Sequence, residues 1–180
     1  MKNLTKWLFS AFLIGLFGVV LGNSVVSAAE VETGGFSGKF VSFRSVTDES
    51  KAIELDTTNR LDVLLSSFEN RDTQKWAMIY AGPYQAYMIS HLSILGAGYL
   101  GEVSETANEN GTINLLSTIG DDCHWRLISA GEYDGQPTYY IENMTSGRVI
   151  TRFGAGHHSL FTSTWQGTED QKFFVQVETN

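Results

Sequence analysis

Along the chain, short runs that are either continuously apolar or alternate apolar with polar residues recur at similar intervals. Each is bounded by Gly, Asn, Asp or Ser, and no window sustains a helical period. In order, Phe40-Val41-Ser42-Phe43, Ala52-Ile53-Glu54-Leu55 and Val63-Leu64-Leu65-Ser66-Ser67-Phe68 predict three strands, and Ala77-Met78-Ile79-Tyr80 predicts a fourth. The same order returns as Tyr87-Met88-Ile89, Tyr99-Leu100-Gly101-Glu102-Val103, Ile113 to Ile119 and Arg126-Leu127-Ile128. It returns again as Tyr139 to Asn143, Arg148-Val149-Ile150-Thr151, Leu160 to Trp165 and Phe174-Val175-Gln176-Val177.

Three related segments introduce the last strand of each set: Asp72-Thr73-Gln74-Lys75-Trp76, Asp121-Asp122-Cys123-His124-Trp125 and Glu169-Asp170-Gln171-Lys172-Phe173. Their closing aromatics lie 49 and 48 residues apart, which divides the chain into repeats of about 36–82, 83–131 and 132–178. Four strands in each of three repeats predict an all-β fold with threefold pseudosymmetry. A four-stranded unit cannot bury its apolar side alone, and three units closing on one another remove both that surface and the sheet edges. With 18 glycines and 2 prolines, the composition suits an all-β barrel with short turns.

The N-terminus changes the compartment. Lys2 and Lys6 precede an apolar run from Trp7 to Leu21 that is too short to span a bilayer comfortably. Val26, Ser27, Ala28 and Ala29 then supply small residues where a signal peptidase reads them. Residues 1–29 are therefore expected to be a cleaved signal peptide, residues 30–35 a short N-terminal extension, and 36–180 a single secreted, extracellular domain. Loss of the leader removes two lysines from a chain with 12 basic and 20 acidic residues, leaving a charge near -10. Such a charge opposes binding to phosphate backbones and anionic lipid, so neither nucleic acid nor direct membrane insertion is expected. The single cysteine, Cys123, cannot form an internal disulfide and is expected to be a buried apolar residue in a fold held by packing.

A repeat of this length ending in Gln, any residue and Trp resembles the ricin-type β-trefoil lectin family over residues 36 to 178. The motif is intact as Gln74-Lys75-Trp76, altered to Cys123-His124-Trp125 and then to Gln171-Lys172-Phe173. In size and single-domain layout the chain is also similar to the small trefoil component of clostridial hemagglutinin complexes. The resemblance implies a β-trefoil, makes Trp76, Trp125 and Phe173 core residues, and implies a sugar site from three parts. These are an acid on the second strand of a repeat, an aromatic platform on the third, and an Asn or Asp just before the Gln. A carboxylate accepts from adjacent sugar hydroxyls, a ring covers the sugar's C–H face, and a polar tip fixes orientation.

Carried across, the first repeat offers Glu54 as the acid, with Leu64 at the platform and Phe68 and Asn70 nearby. The second offers Gly101 and Ile113, with Asp122 as its one polar match. The third offers Phe161 as platform, Trp165 beside it and Asp170 before Gln171, with Thr151 at the acid position. The expected function is non-catalytic binding of glycans or glycoproteins, with no cofactor and no metal. The alternative is an adaptor that docks with other subunits of a secreted toxin or hemagglutinin-type complex through decayed sugar sites.

Other chemistry is weaker. His157 and His158 beside Gly154 and Gly156 suit a solvated hairpin tip, since adjacent strand residues face opposite ways and no third ligand has fixed spacing. Asp122, Cys123 and His124 combine the groups of a thiol nucleophile, but an extended strand would turn Cys123 and His124 apart. Asn110-Gly111-Thr112 and Asn143-Met144-Thr145 are sequons, the first expected in a turn and the second at a strand end.

Overall fold

The computed structural model describes residues 30–56, 58, 62–91, 98–104, 110–154 and 159–179. The expected signal peptide and the His157–His158 tip lie outside the described residues. Each expected strand is present: β1 (Phe40–Ser45), β2 (Asp48–Leu55), β3 (Val63–Ser67), β4 (Trp76–Ala81), β5 (Ala86–His91) and β6 (Gly98–Ser104), then β7 (Gly111–Leu116), β8 (His124–Tyr133), β9 (Gln136–Asn143), β10 (Val149–Arg152), β11 (Leu160–Ser163) and β12 (Phe173–Val177). Several strands end earlier than expected. β3 stops at Ser67, β7 at Leu116 and β11 at Ser163, which leaves Trp165 in the following loop, and 3₁₀ turns at Asp72–Gln74, Asp121–Cys123 and Glu169–Gln171 introduce β4, β8 and β12.

All described pairings between strands are antiparallel. β1 pairs with β4, β4 with β5, β5 with β8, β8 with β9, β9 with β12 and β12 with β1, so these six strands close into a ring. The remaining strands form three hairpins, β2–β3, β6–β7 and β10–β11, attached to β1, β5 and β9. The hairpins also meet one another. β11 pairs with β7, Leu64 bridges to Ser159, and Asp62 bridges to Asn114. Closure and mutual pairing leave few free strand edges, which suits a twelve-stranded protein with little proline to blunt them.

The core fills the ring. Trp76, Trp125 and Phe173 are completely buried among Phe43, Ile53, Leu65, Met78, Tyr87, Ile89, Leu100, Leu127 and Ile141. A buried indole needs a partner for its N–H. Trp76 Nε1 donates to the carbonyl of Ile53 at 3.1 Å, and Trp125 Nε1 donates to that of Leu100 at 2.8 Å. Each bond ties the start of a ring strand to the first strand of the preceding hairpin, β2 or β6. Truncating either Trp to Ala removes ring volume and hydrogen bond together, at a cost of about 3–5 kcal/mol.

The glutamines two residues before Trp76 and Phe173 are equally buried. Gln74 Nε2 donates to the Ser67 carbonyl, Ser66 Oγ and Glu54, while its Oε1 accepts from the backbone N–H of Glu69 and Arg71. Gln171 repeats this with Thr164 O, Ser163 Oγ and Thr151 Oγ1, and accepts from Gln166 and Gly167. At the matching place before Trp125 stands Cys123, and its surroundings change with it. Gly101 replaces Glu54 or Thr151, and Leu116 replaces Ser66 or Ser163. A Cβ at Gly101 would stand 2.3 Å from Leu116 Cδ1 and 3.3 Å from the Cys123 sulfur. One buried polar cluster has thus become apolar at all three of its positions, as the cost of an unmatched buried polar group requires.

Residues 30–36 extend the sheet. Glu32 N–H donates to Leu127 O and Ser129 N–H to Glu30 O, both at 2.8 Å, with Val31 bridging Ile128. Phe36 then meets Tyr139 edge to face at 5.8 Å, and the Tyr87 hydroxyl donates to the Glu32 carboxylate. The short extension is therefore a strap across β8 and β9.

Restoring the motif with Cys123→Gln is expected to destabilise the protein, because Gly101 and Leu116 give the amide nothing to bond and no room. Urea unfolding should show a loss of about 2 kcal/mol or more.

Candidate functional site

The third hairpin and the loop after it gather exposed aromatic surface. Phe161 on β11 is half-buried and stands opposite Thr151, and its ring meets the edge of exposed Phe153 at 5.9 Å. Beyond the end of β11, Trp165 is 58% exposed, the most open large apolar side chain among the described residues. Its ring stands edge-on to Tyr140 of β9 at 5.9 Å. The loop is not a loose tether. The Gln171 side-chain Oε1 accepts from Gln166 N–H at 2.8 Å and Gly167 N–H at 3.1 Å, so a core residue fixes the backbone just after the Trp. Gly167 has φ +72°, and its Cβ position lies 3.5 Å from the Trp165 ring. A glycine here allows the left-handed turn, while the space beside the indole would admit a Cβ at ordinary contact distance. Asp170 lies partly exposed in the 3₁₀ turn before Gln171. Phe161 and Trp165 thus belong to two separate ring pairs, not to one platform.

The first hairpin is closed. Glu54 is 6% exposed, and its carboxylate accepts from Thr73 Oγ1 at 2.5 Å, Arg71 Nη1 and Gln74 Nε2 at 3.2 Å, and Ser66 Oγ. The expected sugar acid therefore points inward and holds the turn before Trp76. Burial alone would raise its pKa, but the hydroxyls of Ser66 and Thr73, the Arg71 charge and the Gln74 amide outweigh burial and hold it below the ordinary value. Asn70 stands exposed at the crest of the same loop with φ +55° and does not meet Glu54. The Arg44 guanidinium covers Phe68, 3.7 Å from its ring centre.

In the second hairpin the register corrects the assignment of Ile113. Gly101 pairs with Asn114, whereas Ile113 pairs with Glu102 and is buried in the core. A shift of one residue moves a side chain to the opposite face, so Asn114, not Ile113, occupies the platform position. Sequence reasoning passed over Glu102 as one more polar strand residue. It is 4% exposed and holds Arg148, Ser146 and Thr162, tying β6 to the turn before β10 and to β11.

The thiol trio is not assembled. Cys123 ends a 3₁₀ turn with its sulfur 3.7 Å from Thr118 O, and burial raises its pKa, against what a nucleophile needs. The His124 ring packs on Tyr84 at 4.7 Å, with Nδ1 3.2 Å from Gly120 O. Asn143 of the second sequon is fully buried, with its amide bonded to Asp122 O, Thr145 N and Ser146 N.

No protein-family model matches the sequence, and comparison with curated proteins returns no match. Solved structures show what the fold resembles. A designed threefold-symmetric protein, ThreeFoil, superimposes with a TM-score of 0.64 at 17% identity, over 78% of this chain and 99% of its own. A ricin B-like lectin of Macrolepiota procera, solved with lactose, gives 0.60 at 15% identity over 78% and 96%. A mosquitocidal holotoxin gives 0.63 at 19% identity, and there the likeness spans 77% of this chain and only 16% of the toxin. At these identities the likeness shows the fold, an all-β arrangement of the β-trefoil kind.

The caged Glu54 gives the protein an acid-sensitive element. Because its folded pKa is depressed, its contribution to stability is present above the unfolded value of about 4.5 and is lost as pH falls through the folded one. Thermal melting from pH 7 to pH 3 should show a drop below about pH 4.5 that is clearly smaller in Glu54→Gln, which starts from a lower melting temperature at pH 7.

Proposed function

We propose that the protein is a secreted, non-catalytic, lectin-like protein that binds glycans on cell or matrix surfaces, built from three four-stranded repeats related by threefold pseudosymmetry. The observation that carries this reading is Trp165, an indole held in solvent by a loop that the core glutamine Gln171 fixes in place. An exposed ring on a rigid mount covers the C–H face of a sugar at little entropic cost. Asp170 is the polar partner in this reading, and Phe161 with Phe153 forms a second ring surface. The lactose-bound lectin of the same fold supports a glycan as partner. A shallow site of this kind contributes about 4 kcal/mol, a millimolar constant, so attachment to a surface calls for more than one site or copy.

The sealed Glu54 cage favours one alternative, an adaptor subunit that docks on other proteins of a secreted assembly. The match to a small part of a much larger toxin chain points the same way.

A glycan array probed with the protein and with Trp165→Ala separates the two. The lectin reading expects a saturable hit that weakens about tenfold or more in the variant, with the melting temperature little changed because the ring is exposed. A hit that survives Trp165→Ala would move the site elsewhere, and silence from folded protein favours the adaptor.

A further inference from the structure

The first repeat holds a ring at the place where the third holds Trp165. Ser67 O and Thr164 O accept from the core amides of Gln74 and Gln171, and Glu69 N–H and Gln166 N–H donate to the same two side chains. Asn70 and Gly167 follow with φ +55° and +72°. Phe68 and Trp165 lie between these matched residues, so one kind of mount carries both rings. Their surroundings differ. The Arg44 guanidinium lies over Phe68, 3.7 Å from its centre, with its Nε buried and without a hydrogen-bond partner. On β9 the place of Arg44 belongs to Glu142, which bridges to Arg126. Arg44 pairs with Ala52 and Glu142 with Val149, each two residues before the acid position of its hairpin.

A guanidinium without a carboxylate partner is unexpected in a chain with 12 basic and 20 acidic residues. Arg71, Lys75, Arg126, Arg148 and Arg152 all have a carboxylate within 4.0 Å. Among the described residues neither Arg44 nor Lys172 has one. Lys172 faces the same side as Arg44. It and Phe174 flank the buried Phe173, Phe174 stands opposite Arg44, and the Lys172 carbonyl accepts from Val46 N–H. Glu54, two residues along β2 from Ala52, is turned into its own cage.

We propose that the face formed by Phe68 and Arg44 is a second ligand site, and that it takes an anionic sugar, one bearing a carboxylate or a sulfate ester. The proposal rests on the lectin reading in taking the ring mount as a binding surface, and it gives the first repeat a ligand class that the third lacks. The planar fork of a guanidinium donates two parallel N–H groups to a carboxylate or sulfate, and stacking on an aromatic face holds that fork in place before the ligand arrives. Lys172 adds a point charge one diagonal step away, within reach of a long side chain. Asn70, exposed at the crest of the same loop, offers an amide to neighbouring hydroxyls. The net negative charge of the protein acts against an anion at a distance, but at physiological ionic strength that field is screened beyond about 8 Å, and contact with the guanidinium is shorter.

An NMR titration with the methyl glycoside of sialic acid, with a sulfated galactose and with galactose itself tests the site. At least one acidic sugar should bind about tenfold more tightly than galactose and move the Arg44 Nε–H signal and the amides of Phe68 and Asn70. The tighter of the two identifies the anion. Arg44→Gln should remove the preference, Arg44→Lys, which keeps the charge without the fork, should retain part of it, and Trp165→Ala should leave it whole. Failure of both acidic sugars to bind, equal binding of galactose, or a preference that survives Arg44→Gln would each overturn the proposal. Binding of neutral sugar that depends on Trp165 alone would do the same while leaving the lectin reading in place.

Discussion

The fold depends on a bond that a buried indole cannot do without. Trp76 and Trp125 occupy the interior of the ring, where an unpaired N–H would be costly, and each reaches the carbonyl of a second-strand residue, Ile53 or Leu100. That reach fixes the hairpin over the ring strand it must cap. Phe173 fills the corresponding volume with no N–H to satisfy, and the Gln171 side chain ties the turn beside it to the third hairpin. The glutamines do the complementary work one turn earlier. Their amides draw in the loop backbone on one side and the hairpin hydroxyls on the other. Core order is thus passed directly to the surface segments that carry Asn70 and Trp165.

This arrangement explains why the acid position on the second strand cannot be judged alone. Glu54, Gly101 and Thr151 sit at one structural place, and each suits the residue that introduces the next strand: a charged cage around Gln74, an apolar contact with Cys123, a hydroxyl for Gln171. An acid here is structural when donors surround it, and Glu54 has four groups around its carboxylate. Exposed aromatic surface in this chain is found further out, where the loop after β11 leaves the sheet. Glu102, one residue beyond Gly101 and on the opposite face, repeats the principle by holding Arg148, Ser146 and Thr162 across two hairpins.

Much of this was legible in the sequence. Apolar alternation located every strand, and Cys123 is buried as its place in the motif required. What was not legible has physical causes. Sequence gave no means of choosing between Ile113 and Asn114 opposite Gly101, because register is set by pairing across the hairpin, where one residue changes the face. The 3₁₀ turns before β4, β8 and β12 leave no periodic signature in three residues. The inward turn of Glu54 depends on Arg71 and Thr73, which meet it only after β3 and the turn have folded back. The strap was invisible because Glu30 to Phe36 pairs with residues about a hundred positions away and has no strand pattern of its own.

The central claim is that Trp165 meets sugar at the surface while Trp76 and Trp125 serve only the core. Protein labelled with 5-fluorotryptophan tests this most directly, by fluorine NMR during titration with oligosaccharides released from cell-surface glycoproteins. The account expects the Trp165 signal to move and saturate while those of Trp76 and Trp125 stay in place. A stationary Trp165 signal, or movement confined to the two buried indoles, would contradict it.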